Sequence, residues 1–156
     1  MAAPNTAAEV DQITCAAETT TTYDPGLKLT SQPTTVSVVS SDLTDCVSAT
    51  KPQIVSGGSP SGSGTFNVSC ASLNGTQTGT RVINWSDGSS STVSFTRLSE
   101  VVAGVLTVTV TGTVTSGAFE GGSLVQQMAG LVNPLDCLTQ GIDEITANGT
   151  LTIVGV

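Results

Sequence analysis

The stretch "GVLTVTVTGTVTSG" alternates apolar and polar residues almost without interruption. Leu106, Val108, Val110 and Val114 fall on one side, and Thr107, Thr109, Thr111, Thr113 and Thr115 on the other. A period of two is the spacing of a half-buried β-strand, not of a helix. The β-branched side chains reinforce it, because they pack well on a pleated surface and lose rotamer freedom in a helix. Any fold of this chain must give that strand a core on one face and water on the other.

Other segments repeat the pattern. "CAAETTTTY" and "PTTVSVVS" read as strands separated by "DPGLKLTSQ", where Pro25-Gly26 signals a turn. "QIVSGG" is a short strand after Pro52, "SPSGSG" a loop, and "TFNVSCASL" a strand with Phe66, Val68 and Cys70 on one face. "NGTQTGT" reads as a turn region. "RVINWS" and "STVSFTRL" are strands around Asp87-Gly88, and "SLVQQMAGLV" is a further strand. "NPLDCLTQG" is a turn or one helical turn, and "TLTIVGV" closes the sheet. About eight or nine short strands at this spacing predict an all-β fold. The expected form is a single-domain antiparallel β-sandwich, immunoglobulin-like or related, over residues 11–156. Residues 1–10, "MAAPNTAAEV", read as a flexible N-terminal arm, and "SGGSPSGSG" as a disordered loop.

Composition bounds the partners. Hydrophobic residues make up 38% of the chain, enough for a core, so disorder is not expected beyond those two segments. Charged residues are only 10%, and the net charge is −8. A nucleic-acid binder neutralises phosphates with Lys and Arg, and Lys28, Lys51, Arg81 and Arg97 are too few. The same shortage argues against an anionic membrane surface. No stretch approaches the roughly 18 apolar residues that a spanning helix needs, so no membrane insertion is expected. The opening Ala-Ala-Pro after Met1 reads as the start of an exported chain whose signal peptide has been removed.

Cys15, Cys46, Cys70 and Cys137 are widely spaced, with no CxxC pair and no histidine to complete a metal site. An even count in a Ser/Thr-rich chain points to two disulfides formed in an oxidising compartment. If "CAAETTTTY" and "PTTVSVVS" form an antiparallel hairpin, Cys15 and Cys46 face each other across a fold-back between Thr30 and Ser31. That lies inside the expected connection. The pairing is then Cys15–Cys46, leaving Cys70–Cys137.

Parity also decides the place of Trp85, the one tryptophan. A two-residue Asp87-Gly88 loop sets Ile83 opposite Thr92 and turns Val93 and Phe95 to the other face. A three-residue Ser86-Asp87-Gly88 loop sets Trp85 opposite Ser89, Ile83 opposite Ser91 and Arg81 opposite Val93. Ile83, Trp85, Val93 and Phe95 then share one face, and Gly88 takes the last loop position, where a left-handed residue is favoured. A one-residue slip would expose half of that set, so the second register is expected and Trp85 belongs to the core.

Chemistry is argued against by what is missing. There is no histidine, hence no Ser-His-Asp triad. With all cysteines paired there is no thiol nucleophile. The carboxylate pairs Asp42 with Asp45 and Asp143 with Glu144 read as solvated or capping groups rather than a glycosidase pair. No loop carries the alternating ladder of a calcium site. The chain is therefore expected not to be an enzyme, and no metal or cofactor is expected.

The order "CAAETTTTYDPGL", "TTVSVVSSDLTDCVSA", "GTFNVSCASLNGT", "INWSDGSSSTVSF" and "VTVTGTVTSGAFEGGSLVQQ" resembles a group of small secreted four-cysteine proteins of actinobacteria. The resemblance implies export and a β-sandwich, and it carries no catalytic residue. Two function classes follow. The first is a secreted protein-interaction module, an adaptor or structural subunit of an extracellular assembly. It would engage a protein partner through the arm from Ala2 to Val10 and the loop from Gly57 to Gly64, since arms and strand edges template such addition. The second is a small-ligand carrier or sequestering sandwich, whose structural mark would be a cleft lined by apolar side chains. A weaker alternative is a protease inhibitor using the rigid loop that ends at Cys46.

Overall fold

The structure, a computed structural model, describes residues 11–155. The arm residues Ala2 and Val10 lie outside the described residues. Nine strands follow in chain order: β1 (Gln12–Leu27), β2 (Gln32–Val47), β3 (Gly57–Gly58), β4 (Gly62–Val68), β5 (Gly75–Trp85), β6 (Ser90–Val102), β7 (Val105–Gly117), β8 (Ser123–Leu131) and β9 (Ile142–Val154). Two 3-10 turns, Cys70–Leu73 and Pro134–Leu138, sit between β4 and β5 and between β8 and β9.

All nine strands belong to one sheet, in the order β1-β9-β8-β7-β6-β5-β3-β2-β4, and β1 also pairs with β2. That last pairing closes the sheet. The expected immunoglobulin-like sandwich is therefore corrected to a closed antiparallel barrel of 8 strands, with β4 added on the free side of β2. Alternation of apolar and polar residues is the same in a sandwich and in a barrel. What separates them is whether the first strand reaches the last, and here β1 pairs with β9 from Gln12↔Val154 to Thr22↔Glu144.

Long strands make this possible. β1 and β2 each run for 16 residues and pair from Thr14↔Val47 to Asp24↔Thr35. The ladder shifts register twice, once beside Cys15 and once after Thr20. Such irregularities bend a strand and let a sheet curl. Pro25-Gly26 is not the turn. It lies within β1, where residues 23–26 have left the β9 ladder, so the missing proline N–H costs no bond there. The chain reverses at residues 28–31 instead.

Three further expectations change. "NGTQTGT" is not a turn region, because β5 begins at Gly75 and pairs along its length with β6. Cys70 ends no strand but opens a 3-10 turn. The segment from Gly57 to Gly64 is not a disordered loop. Gly57 and Gly58 form β3, which joins β2 to β5 and completes the ring, and Gly64 pairs with Val36 inside β4. Glycine suits β3 because the Trp85 ring lies where a Cβ on Gly57 would stand, 2.6 Å from Cε3.

The β5–β6 hairpin has the three-residue register. Ile83 pairs with Ser91 and Arg81 with Val93. The Trp85 N–H donates to the Ser89 carbonyl at 2.8 Å, and Gly88 takes φ 91°, in the left-handed region. Ile83 and Val93 are fully buried and Trp85 nearly so. The indole packs edge-on against Phe119 with ring centroids 5.7 Å apart, and its Nε1–H donates to Ser91 Oγ at 2.8 Å. Lys51 Nζ stands 5.1 Å from the Phe119 ring centre and 3.2 Å from Asp11, covering this end. Cys15–Cys46 pins the same end, and Cys70–Cys137 pins the other.

Candidate functional site

The two halves of the barrel are filled differently. Toward the Cys15–Cys46 end the inward positions carry large apolar side chains: Ile13, Leu43, Ile83, Trp85, Val93, Phe119, Leu124, Leu151 and Ile153, all buried. Further along the same strands the inward positions become small or polar. β1 turns from Ile13, Cys15 and Ala17 to Thr19, Thr21 and Tyr23. β5 turns from Trp85 and Ile83 to Arg81, Gly79 and Gln77. β6 turns from Val93 to Phe95, Arg97 and Ser99.

Eight strands enclose just enough room for side chains to fill, or for one small ligand. Small inward residues leave the second option open. The result is a cavity of about 700 Å³ in this half of the barrel. Val36, Val38, Phe95, Val108, Val110 and Met128 supply apolar wall, and Leu27, Leu73 and Leu106 roof it near the Cys70–Cys137 end. Among the described residues, β4 pairs only with β2, and the facing edge of β5 pairs only with β3, at Asn84 and Trp85. The cavity reaches the surface between these unpaired edges, where Phe66, Asn67 and Gln77 are exposed lining residues.

Four polar side chains converge inside. Arg81 reaches across from β5 and its Nη1 donates to Gln126 Oε1 on β8 at 2.7 Å. Gln126, itself buried, donates through Nε2 to Met128 Sδ at 3.3 Å. Arg97 sits level with Gln77 and Val110 on the neighbouring strands, and Val110 in turn pairs with Gln126. Tyr23 faces Arg97 closely enough to feel its charge.

Burial lowers the pKa of both guanidinium groups below the ordinary arginine value; for Arg97 the Tyr23 phenol partly opposes this. Burial pushes the Tyr23 phenol up, and the positive charge of Arg97 partly offsets that. Arginine stays charged even so. Nε and Nη2 of Arg81 are sealed from solvent and have no hydrogen-bond partner among the described residues. Among the described residues the one ion pair is Lys51 with Asp11, far from these groups. Two of the four basic residues of an acidic chain thus lie inside its barrel without a carboxylate partner among the described residues.

The residues singled out from sequence are divided between the two halves. Ile83, Trp85 and Val93 form packed core, and Phe95, one rung further along β6, lines the cavity. The disulfides lie at the two ends and outside the chemistry. Gly57 closes the barrel below Trp85, and Gly64 lies under the Phe66 ring at the cavity mouth. Arg81, Arg97, Tyr23 and Gln126 were not singled out. The parity that buries Trp85 also turns Arg81 inward, and the parity of Val93 and Phe95 turns Arg97 inward.

Fold and site together define a disulfide-braced antiparallel β-barrel with an amphipathic internal cavity. Compared with known proteins, the chain matches no family model, no curated protein and no solved structure.

Proposed function

We propose that this chain is a small-ligand carrier that holds a molecule inside its barrel and performs no chemistry on it. The observation that carries the reading is the cavity of about 700 Å³. Ligand pockets typically fall between about 300 and 1,000 Å³, with mostly apolar walls and a few converging polar groups. This cavity has both. Its two charged groups are Arg81 and Arg97, with Tyr23 and Gln126 beside them, and no histidine, thiol or carboxylate is among its described lining residues. The outer surface of β7 is a row of threonines around apolar contents, the reverse of a barrel that faces lipid. Two disulfides fit assembly in an oxidising compartment, so the reading includes export.

A neutral fluorescent probe, N-phenylnaphthylamine, tests it. Binding at one site per chain is expected. Ala147→Leu and Ser99→Leu, both at buried lining positions, fill the cavity and should abolish the signal. Equal binding by the filled variants would place the probe elsewhere and defeat the reading.

One observation favours the interaction module as a second reading. Leu29, Val102, Leu131, Leu135 and Leu138 are each more than half exposed on or beside the connections at the Cys70–Cys137 end. These connections are tied together by Cys70–Cys137, by Cys70 N–H to the Lys28 carbonyl and by Val132 N–H to the Gly104 carbonyl. An apolar rim of this kind suits a protein partner. Leu131→Asp with Leu135→Asp should then release a co-purifying protein while leaving the cavity probe bound.

A further inference from the structure

We infer that the ligand is an amphiphile of the fatty-acid type, whose anionic head group lies between Arg81 and Arg97 and whose apolar tail occupies the cavity. The inference rests on the carrier reading and adds the chemical class. A buried charge without a partner is strongly penalised, and each unsatisfied buried donor adds to the penalty. Among the described residues Arg81 has no acceptor for Nε and Nη2, and its bond to Gln126 is made to a neutral amide. Arg97 makes no ion pair among the described residues, and the Tyr23 phenol is close enough to act on its charge. A purely apolar ligand would need neither arginine, and leucine or methionine would line the wall at lower cost.

The flanking residues fit the head group. Tyr23 O–H and Gln126 Nε2–H are further donors beside the two guanidinium forks, while Gln126 Oε1 is an acceptor already held by Arg81. No carboxylate of the described lining residues competes for the arginines. An anion would engage the inner donors of Arg81 by turning its fork away from Gln126, and the planar guanidinium matches a carboxylate with two parallel bonds. The tail has Val36, Val38, Val108, Val110, Phe95 and Met128 to lie against. The opening between β4 and β5 admits it tail-first past Phe66, which is 57% exposed there.

The test uses the full chain and three ligands with one tail: decanoate, decanol and decylamine, measured by calorimetry. Decanoate should bind about tenfold to a hundredfold more tightly than decanol, the range of a charge-assisted hydrogen bond, and decylamine should not bind. Arg81→Met and Arg97→Met should each bring decanoate down to the affinity of decanol and leave decanol unchanged. Decanol binding as tightly as decanoate would overturn the anionic class while leaving the carrier standing. Binding of none of the three, with the neutral probe also unbound, would remove the carrier reading itself. The comparison of the three ligands is made on the unaltered protein, so it decides even if a methionine variant does not fold.

Discussion

Closure of the barrel depends on Gly57, and Gly57→Ala measures that dependence. β3 is two residues long and is the strand through which β2 is joined to β5. A Cβ at position 57 would lie 2.6 Å from Trp85 Cε3, 3.0 Å from Cζ3 and 3.1 Å from the Asn84 carbonyl oxygen. The indole has little freedom to retreat. Its edge contact with Phe119 and its bond to Ser91 hold it from the far side. Overpacking of this kind costs about 1–3 kcal/mol. The backbone at Gly57 is not left-handed, so alanine also gains about 0.4–1 kcal/mol by restricting the unfolded chain. The net expectation is a loss of about 1–2 kcal/mol, or a Tm lower by roughly 2–8 °C for a chain of this size. Calorimetric unfolding of four proteins isolates the contact: wild type, Gly57→Ala, Trp85→Leu and the double variant. With the ring gone, Gly57→Ala should cost nothing or stabilise slightly. A neutral effect in the wild-type background, or an equal cost in both backgrounds, would refute the contact as the reason for glycine.

Tyr23 is the one tyrosine, so ultraviolet titration reports it alone. Its folded pKa is raised by burial, hence its contribution to stability is present below the unfolded value of about 10 and is lost as pH rises through the folded value. The titration midpoint should lie above the ordinary one, and Arg97→Gln should move it higher still by removing the opposing charge. A midpoint at or below the ordinary value would contradict the placement of the phenol. Replacing either cysteine pair by serine should cost about 3.5–4.5 kcal/mol on the chain-entropy account, given separations of 31 and 67 residues; urea unfolding showing a loss under about 1 kcal/mol would count against that account here. Arg81→Leu with Gln126→Leu replaces an unpaired buried cation and its amide partner by apolar volume and should stabilise by about 1–4 kcal/mol; a destabilised double variant would mean that the polar pair holds the barrel together.

The hairpin around Asp87-Gly88 was legible because parity and a turn residue constrain it together. Only one register gathers Ile83, Trp85, Val93 and Phe95, and a glycine stands where that loop needs one. Closure was not legible, because no local pattern states that β1 meets β9. The signal nearest to it is the length of alternation in "QITCAAETTTTY", too long for one edge of a small sandwich. β3 was hidden for a different reason. Its residues are Gly57, held to glycine by the Trp85 ring, and Gly58, which lies close to the Ser41 carbonyl, and glycine in a Ser/Pro-rich segment reads as a loop. Ala103 with Gly104 was hidden inside an apolar run, although both take left-handed backbone and form the tight turn between β6 and β7. The cavity was half legible. Thr19, Thr21, Gly79 and Ser99 are inward by the same parity that finds the core, and a run of small inward residues on adjacent strands is what leaves a barrel unfilled.

The division of the barrel into two halves explains how a chain with so few charges tolerates buried arginines. The half bounded by Cys15–Cys46 is packed with large apolar side chains and anchored by Trp85, Phe119 and Ser91. Its strands continue without a break into the other half, so Arg81 stands only two residues from Ile83 and Arg97 four from Val93. The backbone ladders of β5, β6 and β7 therefore fix where both side chains start and that they point inward before any partner is met. Rigid placement of that kind is what a binding site needs and what a stability-optimised core would avoid, since functional positions commonly keep groups that lower stability. The outer surface adds a second constraint. Twelve acidic residues give the molecule its net charge of −8, so an anion approaching from solvent meets repulsion until it reaches the mouth. An amphiphile overcomes this with its tail, which gains from apolar burial before the head group nears the arginines. A small inorganic anion has no such tail, so on the proposed reading it should bind far more weakly than a fatty acid.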